Sequence, residues 1–389
     1  MVNIPKRVLF VNGLPIDKGG IETAIMQVYR GIERRQLLID FAVRKPETGH
    51  FHEEIERYGG RIFNLFANRK HNGNKKWNFA MDIYYIYSFY KLLKDKGPFC
   101  AVHIAHPMLE GFLMIAAKMA GVPVRIAHSN NTGIDDKQRL SLVRKLTRKL
   151  KLTICREYAT HIWGCSKEAS KYQFGKNILE DKRSEIVPYP VAIHNFVRNP
   201  CNRKEACLQF NIEAQNINLI NVGRYTPQKN QLFLLETFKK MLNKRNDLHL
   251  MLTGPGSLEN EIREYIEKLD MKNYVTMLES NTSIPLALSA SDYFLLPSIY
   301  EGFGIVLIEA QAASIPCIVS DVCQPEPDMG LVDYIPLDKG STYWADYILS
   351  KIQQPEDRKV NLTRLMEYDV SNVAPRMQKV YLEGIKYGQ

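Results

Sequence analysis

Two patterns of hydrophobic and polar positions alternate along the chain. Short runs of apolar and β-branched residues are typical of buried strands, and the longer segments between them repeat apolar residues at helical spacing. This alternation predicts parallel sheets flanked by helices. The predicted strands are RVLFVN, DFAVR, VHIA, VRIAHS and HIWGCS in the first half, and LINVGR, LHLMLTG, YVTML, YFLLPS and CIVSD in the second.

The set of strands occurs twice, and the segment between the sets, VPYPVAIHNFVRNPCNRKEA, replaces periodic hydrophobics with prolines, asparagines and charges. We therefore predict an α/β protein with two doubly wound, Rossmann-like domains, 1–192 and 193–372, facing one another across a cleft. In such sheets ligands bind beyond the carboxyl ends of the strands. The last segment, 373–389, is predicted to be a helix that can cross back onto the first domain.

Composition supports this division, because 389 residues exceed what one hydrophobic core usually serves. We find no signal peptide and no apolar run long enough to span a bilayer, so we expect a cytoplasmic chain. Seven cysteines without metal-binding spacing indicate reduced thiols. The net charge of +10 favours an anionic partner, either a phosphorylated substrate or a membrane surface. No nucleic-acid-binding motif is present.

The stretch PSIYEGFGIVLIEAQAASIPCIVSD carries two glutamates around a helix start. Backbone amides from Gly302 to Ile305 are expected to point out of that start and attract phosphate or a sugar hydroxyl, and Gly302 and Gly304 keep the backbone approachable. Helical rise separates Glu301 from Glu309 by on the order of 8 to 12 Å, about the span from a hexose to a ribose joined by two phosphates. Either glutamate alone can be an ordinary surface charge; the pair favours function.

Two further loops offer charges or glycines after a strand. In NVGRYTPQKNQ, Arg224 and Lys229 can neutralise a diphosphate leaving group, although solvated surface charges are the alternative. In VNGLPIDKGGIETA, Gly19 and Gly20 can cradle an anion or simply make a tight turn, and Gly254 in LTGPGS is a weaker candidate of the same kind. The dinucleotide-binding fingerprint G-x-G-x-x-G is absent.

Three histidines follow or end predicted strands of the first half. His128 ends VRIAH, where a ligand in the cleft would lie, while His103 and His106 bracket the end of VHIAH. A metal site built from the three is conceivable, but their spacing matches no standard zinc pattern. The chain also lacks an Asp-x-Asp motif. We therefore predict no bound metal, no cofactor and activity that survives a chelator.

With these pieces assembled, the chain resembles the retaining glycosyltransferase family 4, in the branch found in bacterial capsule and exopolysaccharide assembly. The resemblance runs from RVLFVNGLPIDKGGIETAIMQVYRGI through VHIAHPMLEGFLMIAAKMAGVPVRIAHSNNT to EGFGIVLIEAQAASIPCIVSD. It implies the GT-B arrangement and transfer of a hexose from a nucleotide-sugar, expected to be a UDP-sugar, to a glycan or lipid-linked acceptor. The enzyme would then work in the cytoplasm, at the inner face of the membrane.

The resemblance also implies roles for individual residues. The predicted catalytic residues are Glu301 and His128, facing the donor sugar, with Arg224 and Lys229, holding the diphosphate. The binding residues that it implies are Glu309 at the ribose, Gly19 and Gly20 in the N-terminal glycine turn, the amides of Phe303, Gly304 and Ile305, and Ser280 in the loop that lines the base. Gly254 is a further predicted binding residue, from its glycine loop alone. The family's same-face mechanism, in which the departing phosphate helps to deprotonate the acceptor, needs no side-chain nucleophile.

Other readings stay open. A nucleotide-sugar epimerase of GT-B architecture would consume the donor without an acceptor, and a silent GT-B subunit would only support a partner. An NAD-dependent oxidoreductase is disfavoured by the missing fingerprint. The basic segments KQRLSLVRKLTRKLKLTICRE and NRKHNGNKKWNFAMDIYYIYSFYKLL can dock on an anionic membrane or form ordinary domain helices.

Overall fold

The structure is a computed structural model that describes residues 4–12, 16, 19–44, 49–65, 79–130, 142–197, 200–279 and 281–384. Its contacts divide the chain into two compact units. Unit 1 comprises Met1–Val191 with Tyr368–Gln389, and unit 2 comprises Ala192–Glu367. The sequence placed the boundary one residue later, after 192, and assigned 373–389 rather than 368–389 to the first domain.

Unit 1 contains a seven-stranded parallel sheet with the order β3-β2-β1-β4-β5-β6-β7. Its strands are β1 (Lys6–Val11), β2 (Leu37–Val43), β3 (Ile62–Asn64), β4 (Ala101–Ile104), β5 (Val124–Ser129), β6 (His161–Gly164) and β7 (Ser184–Ile186). Its helices are α1 (Gly20–Gly31), α2 (His52–Arg57), α3 (Phe79–Lys96), α4 (Pro107–Glu110), α5 (Leu113–Met119), α6 (Leu142–Tyr158), α7 (Lys167–Phe174) and α15 (Val370–Glu383).

Helices cover both faces of this sheet, because successive strand residues point to opposite sides and both sets are apolar. On β1, Val8 joins a buried cluster with Tyr29 of α1 and Met377 of α15. Its neighbour Leu9 joins the cluster on the other face, with Phe89 of α3. The carboxyl edge of the sheet is therefore held between two packed helical layers.

The final helix, α15, packs in unit 1 although it follows unit 2 in sequence. Asp369 caps its start by accepting a hydrogen bond from the Ser371 amide at 2.8 Å. The Val191 amide donates to the Tyr368 carbonyl at 2.8 Å, and the Val370 amide donates to the Val191 carbonyl at 3.0 Å. Backbone hydrogen bonds thus join the segment leaving unit 1 to the segment returning to it.

Unit 2 contains a six-stranded parallel sheet with the order β10-β9-β8-β11-β12-β13. Its strands are β8 (Ile217–Val222), β9 (Leu248–Thr253), β10 (Val275–Leu278), β11 (Tyr293–Leu296), β12 (Cys317–Ser320) and β13 (Val332–Ile335). Its helices are α8 (Pro200–Gln209), α9 (Gln231–Leu242), α10 (Glu259–Lys268), α11 (Ile284–Ser289), α12 (Ile305–Ala312), α13 (Gly340–Gln353) and α14 (Leu362–Met366).

Every predicted strand overlaps an observed one. The sequence missed β3, β7 and β13, which lie at sheet edges. The six cysteines whose side chains the structure describes are free thiols. Among the helices of the described residues, none is both long and apolar enough to cross a bilayer.

Candidate functional site

The topology of unit 2 brings two of the predicted loops together. The chain winds outward from β8 in one direction through β9 and β10, and in the other through β11 and β12. The carboxyl ends of β8 and β11 therefore flank the topological switch point, where open α/β sheets bind ligands. The loop after β8 carries Arg224 and Lys229, and the loop after β11 carries Glu301.

Lys229 and Glu301 form an ion pair between these two loops, with both side chains largely buried. The backbone holds the loops in register, because the Ile299 amide donates to the Gln228 carbonyl at 2.8 Å. The Gln228 side chain also donates to the Tyr300 carbonyl at 3.1 Å. The pair is thus fixed by its surroundings and does not depend on two flexible side chains finding each other.

The Glu301 carboxylate is enclosed, and the residue is 7% exposed. Its oxygens accept hydrogen bonds from the Ser298 hydroxyl at 3.2 Å and from the Gly302 amide at 3.1 Å. The prediction that the Gly302 amide is open to a ligand is therefore wrong, because this amide is already bonded to the neighbouring carboxylate.

Arg224 lies exposed at the same edge. Its carbonyl accepts a hydrogen bond from the Gln231 side chain at 3.2 Å, which fixes the backbone. Its guanidinium, in contrast, makes no hydrogen bond or ion pair with any other residue that the structure describes. An arginine with an open fork on a fixed backbone is suited to bidentate contact with phosphate oxygens.

The start of α12 adds backbone donors to this edge. Gly304 caps the helix with φ +73°, a left-handed conformation that favours glycine. Within the described chain, the amides of Gly304 and Ile305 donate to no protein group. Phe303, just before them, is buried. The free amides expected at this helix start are therefore present at Gly304 and Ile305, and their contact with an anion stays a prediction.

Glu309 lies one turn into α12 and is only partly exposed. Burial raises the pKa of its carboxyl to about 7. The carboxyl makes no hydrogen bond or ion pair with any other residue in the described ranges. The partial burial of Glu309 disfavours the alternative of an ordinary solvated helix residue.

Gly254 follows β9 and lies against the loop after β8. A Cβ atom at this position would come within 2.2 Å of the Gly223 carbonyl oxygen, and φ is +148°. Close backbone approach therefore explains this glycine, and its contact with a ligand stays a prediction. Ser280, predicted in the loop after β10, lies outside the described residues.

A cavity of about 370 Å³ lies in unit 2 beside Gly254, at the carboxyl ends of β8, β9 and β10. Met277 lines its apolar part, and Glu279 and Asn281 add polar groups. Tyr225 also lines it and is 2% exposed. Sequence reasoning did not single out Tyr225, although its position directly after the predicted phosphate-binding arginine was an available signal.

In unit 1, Gly19 is the N-cap of helix α1 and Gly20 is the first residue of that helix. A Cβ atom on Gly19 would meet a carboxylate oxygen of Glu22 at 2.1 Å, so this carboxylate covers the turn. A negative charge there opposes the binding of a phosphate. The phosphate contact of these glycines stays a prediction.

His128 lies inside unit 1 and is 0% exposed. Its Nε2 is 3.0 Å from the Val187 carbonyl oxygen, so Nε2 carries the proton, and its Nδ1 accepts from His103 Nε2 at 3.1 Å. Burial lowers the pKa of His128 to about 3. This corrects the prediction that the ring faces a donor sugar, because both ring nitrogens are bonded within the unit.

No group of three or more histidine, cysteine, aspartate or glutamate side chains in the described ranges is arranged to hold a metal ion. His103 is instead held between His128 and the Tyr381 hydroxyl, which lies 2.7 Å from its Nδ1. Activity without a metal stays a prediction, to be tested by assay.

Polar side chains also gather where β1, β2 and β4 end. The Asn12 side chain donates to Glu22 at 2.6 Å, and Arg44 pairs with Glu110 at 2.8 Å. The buried Nε2 of His106 has no hydrogen-bond partner among the described residues. Burial lowers the pKa of His106, so its neutral ring can bond a hydroxyl. The sequence suggested His106 only as a metal ligand.

Comparisons with known proteins agree with this architecture. The family model described as glycosyl transferases group 1 matches residues 203–329. The putative glycosyltransferase EpsF of Bacillus subtilis (strain 168) is 31% identical over 350 residues, 88% of this chain and 87% of EpsF. The capsular polysaccharide biosynthesis glycosyltransferase CapH of Staphylococcus aureus is 24% identical over 381 residues, 94% of this chain and 96% of CapH.

A third relative carries its donor and acceptor in its name. The UDP-Gal:alpha-D-GlcNAc-diphosphoundecaprenol alpha-1,3-galactosyltransferase of Escherichia coli is 30% identical over 247 residues, 62% of each chain. Among solved structures, Anabaena Alr3699/HepE in complex with UDP superimposes with a TM-score of 0.73 at 15% identity, covering 96% of this chain and 99% of HepE. The predicted fold class is confirmed: two α/β domains with parallel sheets, matching GT-B glycosyltransferase structures.

Proposed function

This chain belongs to the glycosyl transferases group 1 family and is a glycosyltransferase of polysaccharide biosynthesis. From this premise we propose that it is a retaining enzyme of family 4 that moves a hexose from a UDP-sugar to a glycan or lipid-linked acceptor in bacterial surface polysaccharide assembly. The observation that carries the proposal is the convergence of an open arginine, a buried Lys–Glu pair and unpaired helix-start amides at the switch point of unit 2.

The cations and amides supply the diphosphate site. Breaking a glycosyl–phosphate bond leaves negative charge on the departing nucleotide, and stabilising that charge is the largest contribution that a protein can make to this step. Arg224 offers a planar fork, Lys229 offers a positive charge held by Glu301, and Gly304 and Ile305 offer backbone donors. This set can stabilise part of the charge of a diphosphate without a metal ion, so we expect turnover to persist in a chelator.

Glu309 and the cavity supply the nucleoside site. A carboxyl without a protein partner can accept hydrogen bonds from the two ribose hydroxyls. Gly254 lines the cavity and also lies against the loop after β8 that carries Arg224. A nucleotide whose phosphates lie near Arg224 can therefore place its base in the cavity. Complexes of HepE with UDP and with UDP-glucose support a uridine nucleotide as the donor.

We place the acceptor at the carboxyl edge of the unit 1 sheet. The unpartnered Nε2 of His106 can bond an acceptor hydroxyl, and the Arg44–Glu110 pair lines the neighbouring strand end. The diphosphoundecaprenol-linked acceptor named for the Escherichia coli relative supports a lipid-linked sugar as the substrate class. Retention follows the family's same-face mechanism, in which the departing phosphate takes the acceptor proton.

A lipid-linked acceptor suggests contact with a membrane, and α6 offers a surface for it. Leu146 and Leu150 are 67% and 50% exposed, and Lys145 and Lys149 lie exposed beside them. Not every cation of the segment faces outward, because Lys151 is buried against Phe112. The exposed leucines and lysines together suit an anionic leaflet.

Sedimentation with phosphatidylglycerol vesicles at low salt tests this contact. Wild-type protein should bind these vesicles and not neutral phosphatidylcholine vesicles. The double variant Leu146→Glu with Leu150→Glu should lose binding, whereas Leu208→Glu, at an exposed leucine of α8, should retain it. Equal binding by the two variants would remove α6 from the proposal.

Calorimetric titration with UDP, GDP and UDP-sugars tests the donor site. Arg224→Ala should weaken UDP binding by tenfold or more, whereas Arg245→Ala, which removes an arginine paired with Asp247, should leave it unchanged. A wild-type protein that binds no nucleotide would indicate a silent subunit. Conversion of a UDP-sugar without any acceptor would indicate an epimerase.

Transfer itself is tested with radiolabelled UDP-galactose and a polyprenyl-diphosphate-linked GlcNAc, with and without EDTA. Labelled lipid product in both conditions supports a metal-independent transferase. Strict dependence on a divalent ion would refute the assignment of the leaving-group charge to Arg224 and Lys229.

A further inference from the structure

The Tyr225 side chain combines deep burial with an unused polar atom. The residue is 2% exposed, and its ring belongs to the buried cluster that contains Leu219 and Leu234. Its hydroxyl oxygen is buried and has no hydrogen-bond partner among the residues that the structure describes. Burial also raises the pKa of Tyr225, so the hydroxyl stays protonated and can donate.

Packing alone does not explain this hydroxyl. A buried hydroxyl without a partner destabilises the folded state, and phenylalanine would fill the same space without that cost. The backbone of Tyr225 is held firmly, because its amide donates to the Pro255 carbonyl at 3.0 Å and its carbonyl accepts from the Leu258 amide at 3.1 Å. The main chain that carries the Tyr225 ring is therefore fixed in place.

Tyr225 is one of the residues that line the cavity of about 370 Å³ beyond β8, β9 and β10. One wall of this cavity is Gly254, whose α carbon approaches the backbone of Gly223 and Arg224. Tyr225 itself directly follows Arg224 in the chain. The loop that carries Arg224 and Tyr225 therefore borders this cavity.

We propose that Tyr225 is a specificity-determining residue, whose hydroxyl donates a hydrogen bond to a carbonyl oxygen of the nucleotide base. The inference rests on the proposed nucleotide-sugar site in unit 2. Uracil and guanine carry a carbonyl oxygen, and adenine carries none. A base without that oxygen leaves the buried hydroxyl unpaired, and sites built to hydrogen-bond a ligand reject analogues that cannot do so. The protein thus selects against adenine nucleotides.

The test is calorimetric titration of the full chain with UDP, GDP and ADP, for wild type and Tyr225→Phe. Wild type should bind UDP at least tenfold more tightly than ADP. Tyr225→Phe should weaken UDP binding about tenfold, leave ADP binding unchanged and keep or raise the melting temperature. Tyr293→Phe is the matched control, because the Tyr293 hydroxyl donates to the Lys351 carbonyl at 3.0 Å within the protein. This variant should bind UDP as wild type does.

Three results would overturn the inference. Wild type that binds none of the nucleotides would remove the proposed function and the inference together. UDP binding that is intact within twofold in Tyr225→Phe would remove only the role of Tyr225. An equal loss of affinity for UDP, GDP and ADP would show that the substitution disturbs the loop that carries Arg224 and not the choice of base.

Discussion

The binding of UDP-glucose should weaken as the pH falls from 8 to 6, because Glu309 must be ionised to accept both ribose hydrogen bonds. Burial raises the pKa of this carboxyl from 4.5 to about 7. That shift corresponds to roughly 3 kcal/mol of penalty on the ionised form. With this pKa, the ionised fraction falls from roughly nine-tenths at pH 8 to one-tenth at pH 6. The affinity for UDP-glucose should therefore fall about tenfold from pH 8 to pH 6.

The assay is calorimetric titration in two buffers of different ionisation enthalpy, which also measures proton release. Ribose hydrogen bonds favour the ionised carboxylate and lower its pKa in the complex. At pH 7 binding should release roughly half a proton, and at pH 8.5 almost none. UDP-glucose is the suitable ligand, because its diphosphate does not titrate in this range, whereas the terminal phosphate of UDP does.

Glu309→Gln is the matched control, because it keeps the size of the side chain and removes the titration. Its affinity should be lower than that of wild type at pH 8 and independent of pH, with no proton release. His249 cannot substitute for Glu309 in this role, since burial lowers its pKa to about 4. A flat profile in wild type, or the same slope in Glu309→Gln, would refute the reasoning.

Three further outcomes concern stability. Acidification from pH 7.5 to 5 should destabilise unit 1, because burial lowers the pKa of His128 to about 3 and of His161 to about 4. Each neutral histidine contributes its full stability above the pKa of the unfolded chain and loses it as the pH falls. The loss in the free energy of unfolding is about 2 kcal/mol for each histidine at pH 5. Hydrogen exchange of unit 1 peptides measures this loss. Lys229→Ala should cost about 3 kcal/mol in urea unfolding, since it removes the cation that is paired with the buried Glu301 carboxylate. Lys229→Met with Glu301→Gln should recover stability without recovering UDP binding. Gly254→Ala should lower the melting temperature and UDP affinity together, because its Cβ would meet the Gly223 carbonyl oxygen at 2.2 Å; unchanged values would show that the loop yields easily.

The order of hydrophobic and polar residues was enough to locate the central strands. Buried parallel strands are nearly continuous apolar runs, as in β2 and β9, where every residue is buried. The edge strands β3 and β7 are three residues long and only half-buried, so their sequences carry no such run. Parallel winding also placed Arg224, Lys229 and Glu301 near one sheet edge, since the loops after neighbouring strands meet there.

Tertiary structure alone decided which groups are already bonded and which are open. His128 follows a strand as a ligand-binding residue would, yet Val187 and His103 occupy both of its nitrogens. His103 in turn contacts Tyr381, which is 278 residues away in sequence. Hydrogen-bond partners that distant leave no local pattern. For the same reason the sequence could not distinguish the bonded amide of Gly302 from those of its neighbours, nor show that the Tyr225 hydroxyl is buried without a partner among the described residues.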